Sequence, residues 1–178
     1  MEPVGLKRGT VALRPYDEQW PMLFEVEKER LLVALKGLVA EIEHVGSTSV
    51  PGLAAKPLID IIATVQSLAD YKQAIAPLEH LGYEYMPERV FVDRVFFPKG
   101  PQDNRTYHLS LVEKGSAQWN DTLLFRDYLR NHPKKCQEYQ DLKMRLATQY
   151  AGDRISYTKG KEAFIKNLLV LAQLYSKR

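Results

Sequence analysis

The chain has 178 residues, 45% of them hydrophobic and 26% charged, which is typical of one globular domain and argues against disorder. Its single cysteine, Cys136, excludes an intrachain disulfide and a cysteine-rich zinc site. The net charge is +3, but residues 126–178 alone carry 12 basic and 5 acidic side chains. This segment could attract an acidic ligand, or it could simply form solvated helix surfaces.

The hydrophobic pattern predicts strands alternating with helices up to about residue 115. The predicted elements are a strand at Thr10–Tyr16, a helix from Asp17 to about Leu38, strands at Glu41–Val45 and Leu58–Val65, a helix near Leu68–Leu81, and extended segments at Tyr83–Met86, Val90–Phe97 and Thr106–Val112. Charged residues interrupt the longest apolar runs, and the first twenty residues contain no continuous apolar run. We therefore expect a cytoplasmic protein with no secretory signal and no membrane contact.

After Gly115 every predicted element is helical. The three helices lie near Ala117–Asn131, Pro133–Gln149 and Lys159–Tyr175. There is no internal repeat and no low-complexity linker. We predict a single α+β domain over residues 1–178, with a sheet-containing core at about 10–115 and a helical part at about 116–178.

Asp60 is the most unusual residue of the predicted sheet, because it lies inside the apolar run LIDII. An unpaired carboxylate is costly to bury. Strand alternation places Ile59, Ile61 and Val65 on a side fit for the core and Asp60 on the opposite side. We expect Asp60 to face helices or a cleft.

Gly46 and Ser47 directly follow the strand Glu41–Val45. Glycine lets the backbone approach a phosphate closely, and amide groups with the Ser47 hydroxyl can hold phosphate oxygens. A tight turn in which the serine bonds to nearby backbone is the structural alternative. Lys56 could reach a phosphate, neutralise Asp60 or lie in solvent.

The block HVGSTSVPGLAAKPLIDI resembles the signature of the nucleotidyltransferase superfamily that includes DNA polymerase β, and more specifically that of the GrpB family. Further segments resemble this family along almost the whole chain: RPYDEQWPMLFEVE, LGYEY, RTYHLSLV, LLFRDYLRNHP, EYQDLKMRLA and YTKGKEAFI. The resemblance implies a nucleotidyltransferase-like fold, with a mixed sheet flanked by helices and a helical C-terminal part.

The resemblance also implies a nucleotide site. Asp60 would bind Mg²⁺ or Mn²⁺, which neutralises phosphate charge, and His108 would be a proton acceptor or a metal ligand. The candidate contacts to substrate or phosphate are Gly46, Ser47, Thr48, Lys56, Arg105, Ser110 and Arg126. The partners would be an NTP and a small-molecule acceptor, whereas nucleic acid is not expected because the basic segment lacks a stacking signature.

Two positions depart from the family pattern. The superfamily places a second carboxylate two residues after the first, so that both reach one metal, and here that residue is Ile62. The family sequence His-Leu-His is replaced by His108-Leu109-Ser110. A replacement carboxylate could come from Asp93, Glu41 or Glu43, although an ion pair between Asp93 and Arg94 is favoured.

Two further groups have both a functional and a structural interpretation. His44 could act as a general acid or base, but a structural histidine is favoured. Tyr157, Lys159 and Lys161 precede the last predicted helix and could close over an anion, although such residues are common at helix starts.

Two functions follow from the sequence. The chain could transfer a nucleotidyl group from a magnesium-bound NTP to a hydroxyl or amine of a small molecule. Alternatively, it could be a degenerate relative that binds a nucleotide or another phosphorylated ligand without turnover, which the apolar residue at position 62 favours.

Overall fold

The computed structural model describes residues 4–175, so the first and last three residues of the predicted domain lie outside it. The described elements are helices α1 (Gln19–Ala34), α2 (Lys72–His80), α3 (Ala117–Asn131), α4 (Pro133–Gln149) and α5 (Arg154–Tyr175), and strands β1 (Val39–Val45), β2 (Ile59–Val65), β3 (Val95–Lys99) and β4 (Tyr107–Glu113). Within this range no helix is both long and apolar enough to cross a lipid bilayer.

The four strands form one mixed sheet in the order β1-β2-β4-β3. Strand β2 is antiparallel to β1 and parallel to β4, and β3 is antiparallel to β4. The parallel pair needs a crossover connection, which α2 and β3 supply. The predicted α+β class with a mixed sheet is confirmed.

One face of the sheet carries the main core. Ile59, Ile61, Ala63 and Val65 of β2 are at most 1% exposed and belong to one apolar cluster with residues of α1 and α2. These are the alternate residues that the sequence assigned to the core side of this strand. The opposite face of β2 therefore carries Asp60 and Ile62.

The second face of the sheet meets the helical part. Ile62 packs with Val45, Val112 and Trp119 of α3 in a separate cluster. The loop between β1 and β2 is also covered, since its Val50 and Leu53 are buried. Their cluster includes residues of α3, α4 and α5. Asp60 thus lies beside the interface between the sheet and the helical part.

Three predicted extended segments are shorter than expected. Thr10–Tyr16 is not a strand: its only bridge in the described chain joins Arg14 to Ala55, because its neighbour is a loop rather than a sheet edge. Tyr83–Met86 contributes a single bridge, from Tyr83 to Lys99. The segment predicted at Val90–Phe97 becomes a strand only from Val95.

The last helix begins at Arg154, five residues before the predicted start at Lys159. Asp153 explains the difference, because its carboxylate accepts hydrogen bonds from the backbone N–H of Ile155 and of Ser156, at 3.1 and 3.0 Å. This is the geometry of a helix N-cap. The earlier start brings Tyr157 into the helix together with Lys159 and Lys161.

Candidate anion-binding site

A cavity of about 140 Å³ lies between the loop after β1, the start of β2, and helices α4 and α5. Four charged side chains line it: Lys56, Asp60, Lys143 and Lys161. One carboxylate thus faces three amines. The cavity carries a net positive charge when these amines are protonated.

Asp60 holds its place through contacts from two neighbouring segments. Its Oδ1 lies 3.1 Å from Nδ1 of His108, its partner in the parallel β2–β4 register, and 44% of its side chain stays exposed. Gly46 adopts φ +70°, and a Cβ at this position would lie 2.5 Å from Asp60 Oδ2. Position 46 therefore requires glycine both for its backbone conformation and for the carboxylate.

Asp60 and His108 differ in protonation state at neutral pH. Burial alone would raise the pKa of Asp60, but the hydrogen bond with His108 and the charges of His108, Lys56 and Lys161 lower it below the ordinary value. Burial, with the charges of Arg154 and Lys56, lowers the pKa of His108 below its ordinary value, although the hydrogen bond and the charge of Asp60 act to raise it. We therefore assign an ionised Asp60 that accepts the Nδ1–H of a neutral His108 at neutral pH.

Lys143 is the most deeply buried amine of the cavity, with 1% exposure. Its Nζ lies 3.0 Å from Oγ of Ser47, donates to the carbonyl of Ala54, and stands 5.0 Å from the centre of the Tyr139 ring. Burial, together with the charge of Lys161, lowers its pKa to about 7. This amine is therefore divided between charged and neutral forms near pH 7.

Lys161 and Lys56 share the ring of Tyr157. Their Nζ atoms lie 4.5 and 5.8 Å from its centroid. Burial lowers the pKa of Lys161 to about 8 and also lowers that of Lys56. Across residues 4–175, neither these two lysines nor Lys143 has a carboxylate at salt-bridge distance.

The structure brings together part of the predicted site. The predicted residues that line the cavity are Gly46, Ser47, Thr48, Lys56, Asp60, Tyr157 and Lys161, whereas Lys159 lines a separate groove. His108 reaches the cavity only through Asp60. The Thr48 hydroxyl lies 3.0 Å from Nε2 of His44. His44 stacks on the Phe24 ring, and burial lowers its pKa to about 4. The structural interpretation of His44 therefore fits its surroundings.

Three predicted phosphate contacts lie elsewhere. The Arg105 guanidinium bonds Glu84 and the carbonyl of Gly100 and is nearly inaccessible. Arg126 is engaged by Glu43 at 2.7 Å and by its neighbour Asp127. Ser110 faces a separate groove near Phe96. None of the three lines the cavity.

The side chains present do not fit a two-metal centre. Among residues 4–175, no group of three or more histidine, cysteine, aspartate or glutamate side chains could hold a metal ion. Ile62, at the second carboxylate position, is 1% exposed. The possible replacements are already paired: Glu41 with Lys114, Glu43 with Arg126 and Asp93 with Arg94.

Sequence reasoning missed the contribution of α4. Tyr139 and Lys143 are one helical turn apart, and Tyr157 with Lys161 repeats this spacing on α5. Each lysine stacks over the tyrosine that precedes it by four residues. The sequence shows this shared spacing, but it does not show that α4 and α5 line the same cavity.

The mixed sheet, its helical cover and the cavity beside Gly46 and Asp60 define an α+β protein consistent with the nucleotidyltransferase-like fold. The chain belongs to the GrpB family, because the family model for GrpB protein matches residues 10–170.

Several relatives share this family. A UPF0157 protein of Pseudomonas aeruginosa is 43% identical over 89% of this chain, and the glutamate-rich protein GrpB of Alkalihalophilus pseudofirmus is 36% identical over 93% of it and 98% of its own length. The crystal structure of the conserved protein GrpB from Enterococcus faecalis is 34% identical, with a TM-score of 0.85 over 94% of this chain and 100% of its own. The chain spans 66% of the Pseudomonas protein and 44% of the UPF0157 protein YqkA of Bacillus subtilis, a 39% identical relative.

Proposed function

We propose that this chain binds a small phosphorylated ligand, such as a nucleotide, in the cavity lined by Lys56, Lys143 and Lys161. The observation that carries the proposal is the convergence of three amines on one cavity that contains a single carboxylate. Lysine is a mobile point charge that suits a phosphate, and Ser47 with Gly46 adds a hydroxyl and an open backbone beside it.

The burial of the cavity's amines also supports an anionic ligand. Taking ammonium groups out of water without a paired carboxylate is costly, and the lowered pKa values of Lys143 and Lys161 express that cost. A phosphate would offset this free-energy cost, because its oxygens would form charge-assisted hydrogen bonds with these amines. In this account lysines supply the positive charge that metal ions supply in the superfamily.

Nucleotidyl transfer with Mg²⁺ remains the second candidate. The observation in its favour is that Asp60 keeps 44% of its side chain exposed beside Ser47, where an ion carried by the ligand's own phosphates could meet it. Against it stands the lack of a partner carboxylate at Ile62. The magnesium ion and the acceptor molecule stay predictions of the family resemblance.

Isothermal titration calorimetry with ATP and with pyrophosphate tests the first candidate. Binding should persist in EDTA, and Lys161→Met should weaken it about tenfold or more, because one charge-assisted hydrogen bond contributes roughly 1.5–3 kcal/mol. Lys166→Met is the matched control, since Lys166 is an exposed lysine of the same helix that does not line the cavity.

The same titrations separate the two candidates. Binding that disappears in EDTA and in Asp60→Asn would favour the magnesium-dependent enzyme over the lysine site. Equal loss of affinity in Lys161→Met and Lys166→Met would indicate general surface attraction and would contradict a defined site.

A further inference from the structure

Ser47 and Lys143 form a pair that anion binding alone does not require. Oγ of Ser47 and Nζ of Lys143 are 3.0 Å apart, although the residues come from the loop after β1 and from α4. The carbonyl of Ala54 accepts a second hydrogen bond from the same Nζ. Tyr139, one turn earlier on α4, also places its side chain against the Ser47 hydroxyl.

This arrangement suits a neutral amine. A neutral lysine has two N–H bonds and one lone pair. If one N–H is donated to Ala54, the lone pair can accept the O–H of Ser47 and withdraw its proton. A charged ammonium could only donate to Ser47 and would leave the hydroxyl unreactive.

The surroundings of Lys143 favour the neutral form. Lys161 from α5 and Lys56 from the loop oppose its charge, whereas Cys136 from α4 favours it and the ring of Tyr139 lies beneath the amine. Together with burial, these groups hold the pKa of Lys143 at about 7. A base with such a pKa is half deprotonated at neutral pH.

We propose that Ser47 is a nucleophile activated by Lys143, and that the chain accepts a small acyl group from a donor that carries an anionic group, such as an acyl phosphate. The anionic part would be held by Lys56 and Lys161, so this part of the proposal rests on the proposed function.

The step balances with the groups present. Oγ of Ser47 forms a bond to the carbonyl carbon of the donor, and its proton passes to Nζ of Lys143. The bond between that carbon and the leaving oxygen then breaks, and Lys143 returns the proton to the departing phosphate. Water, activated by the same amine, can later cleave the Ser47 ester.

Labelling with a fluorophosphonate tests the pair directly. This probe forms an oxygen–phosphorus bond with an activated serine and releases fluoride. Mass spectrometry should find one adduct on Ser47, with a labelling rate that rises about tenfold per pH unit below pH 7 and levels off above it. Excess acetyl phosphate should slow the labelling by competing for the cavity.

Two variants distinguish activation from simple proximity. Lys143→Arg keeps the positive charge but cannot act as a base, so it should abolish labelling. Lys135→Arg changes a half-buried lysine of the same helix that pairs with Glu138 and does not line the cavity, and this variant should label at the wild-type rate.

Failure of this proposal differs from failure of the proposed function. A wild-type chain that binds pyrophosphate but gives no Ser47 adduct, or gives one at a rate independent of pH, would overturn the nucleophile and leave the anion site intact. Labelling of Lys143→Arg at the wild-type rate would likewise overturn it. The pH profile needs no variant, so the test holds even if a substitution prevents folding.

Discussion

Whether a charged residue belongs to the candidate site depends on the groups that surround it in the fold. Asp60 could be selected as a candidate site residue because it interrupts an apolar strand, and the structure places it at the cavity, on the side that strand alternation predicts. Arg105 and Arg126 could not be judged from the sequence. Their partners Glu84 and Glu43 lie 21 and 83 positions away, and a pairing over such separations leaves no periodic signal.

Gly46 provides the first prediction. Gly46→Ala should lower the free energy of unfolding and displace Asp60, because the new Cβ would meet Oδ2 at 2.5 Å. Gly37→Ala is the matched control: Gly37 has φ +81° but no atom near the added carbon, so only the backbone cost of about 1–2 kcal/mol applies. Urea unfolding of both variants measures the difference. Equal losses would mean that the contact with Asp60 has no energetic weight.

His44 predicts a pH dependence. Its folded pKa of about 4 lies below the ordinary value of 6.5, so the unfolded chain binds the proton more readily. Stability should therefore fall as the pH drops from about 6.5 to about 4, by roughly 3 kcal/mol from this group. The lowered pKa of His108 acts in the same direction.

The variant His44→Gln isolates this contribution, since glutamine does not titrate. Its urea midpoint should change less than that of the wild type between pH 7 and pH 4.5. A variant with an unchanged loss of stability over this range would show that His44 is not the group responsible.

At the scale of elements, the helices and the two central strands were predictable because their apolar spacing is regular. The predicted strand Thr10–Tyr16 is wrong because alternation of apolar residues does not show whether a partner strand exists. Within residues 4–175 its one β-bridge joins Arg14 to Ala55. The early start of α5 was readable from Asp153 followed by Ser156. It was missed because capping acts through a side-chain contact and not through apolar spacing.

The contact between α1 and β3 gives a prediction at this scale. Glu27 of α1 is fully buried, and its Oε1 accepts a 2.6 Å hydrogen bond from Nζ of Lys99 on β3. Without Lys99 the buried carboxylate keeps only the exposed Arg30 as an ion-pair partner among the described residues, 3.5 Å from its Oε2, so Lys99→Met should cost up to about 3–5 kcal/mol of stability.

The double variant Lys99→Met/Glu27→Leu tests the reason for this loss. If the buried charge is responsible, the double variant should recover most of the stability in urea unfolding, because no buried charge then remains at this contact and Arg30 is exposed to water. A double variant that is less stable than Lys99→Met alone would show that packing of Glu27, and not its charge, holds the two elements together.

On the scale of the whole molecule, the candidate site forms where the sheet part and the helical part of the chain meet. The sheet part contributes Ser47, Lys56 and Asp60, and the helical part contributes Lys143 and Lys161. Hydrogen bonds also join the two parts: Arg130 donates to the carbonyl of Ser49, and Oε1 of Gln140 accepts from the backbone N–H of Ala54. Each part could be foreseen from local patterns, but their relative position depends on side-chain packing that one sequence does not encode in a readable form.

The most direct measurement of the central claim is a crystal structure of the chain grown with pyrophosphate and EDTA. We predict phosphate oxygens within hydrogen-bond distance of Nζ of Lys56 and of Lys161, beside Ser47, with no metal ion between the ligand and Asp60. A cavity that stays empty at saturating pyrophosphate, or that fills only when Mg²⁺ bridges the ligand to Asp60, would contradict the lysine site.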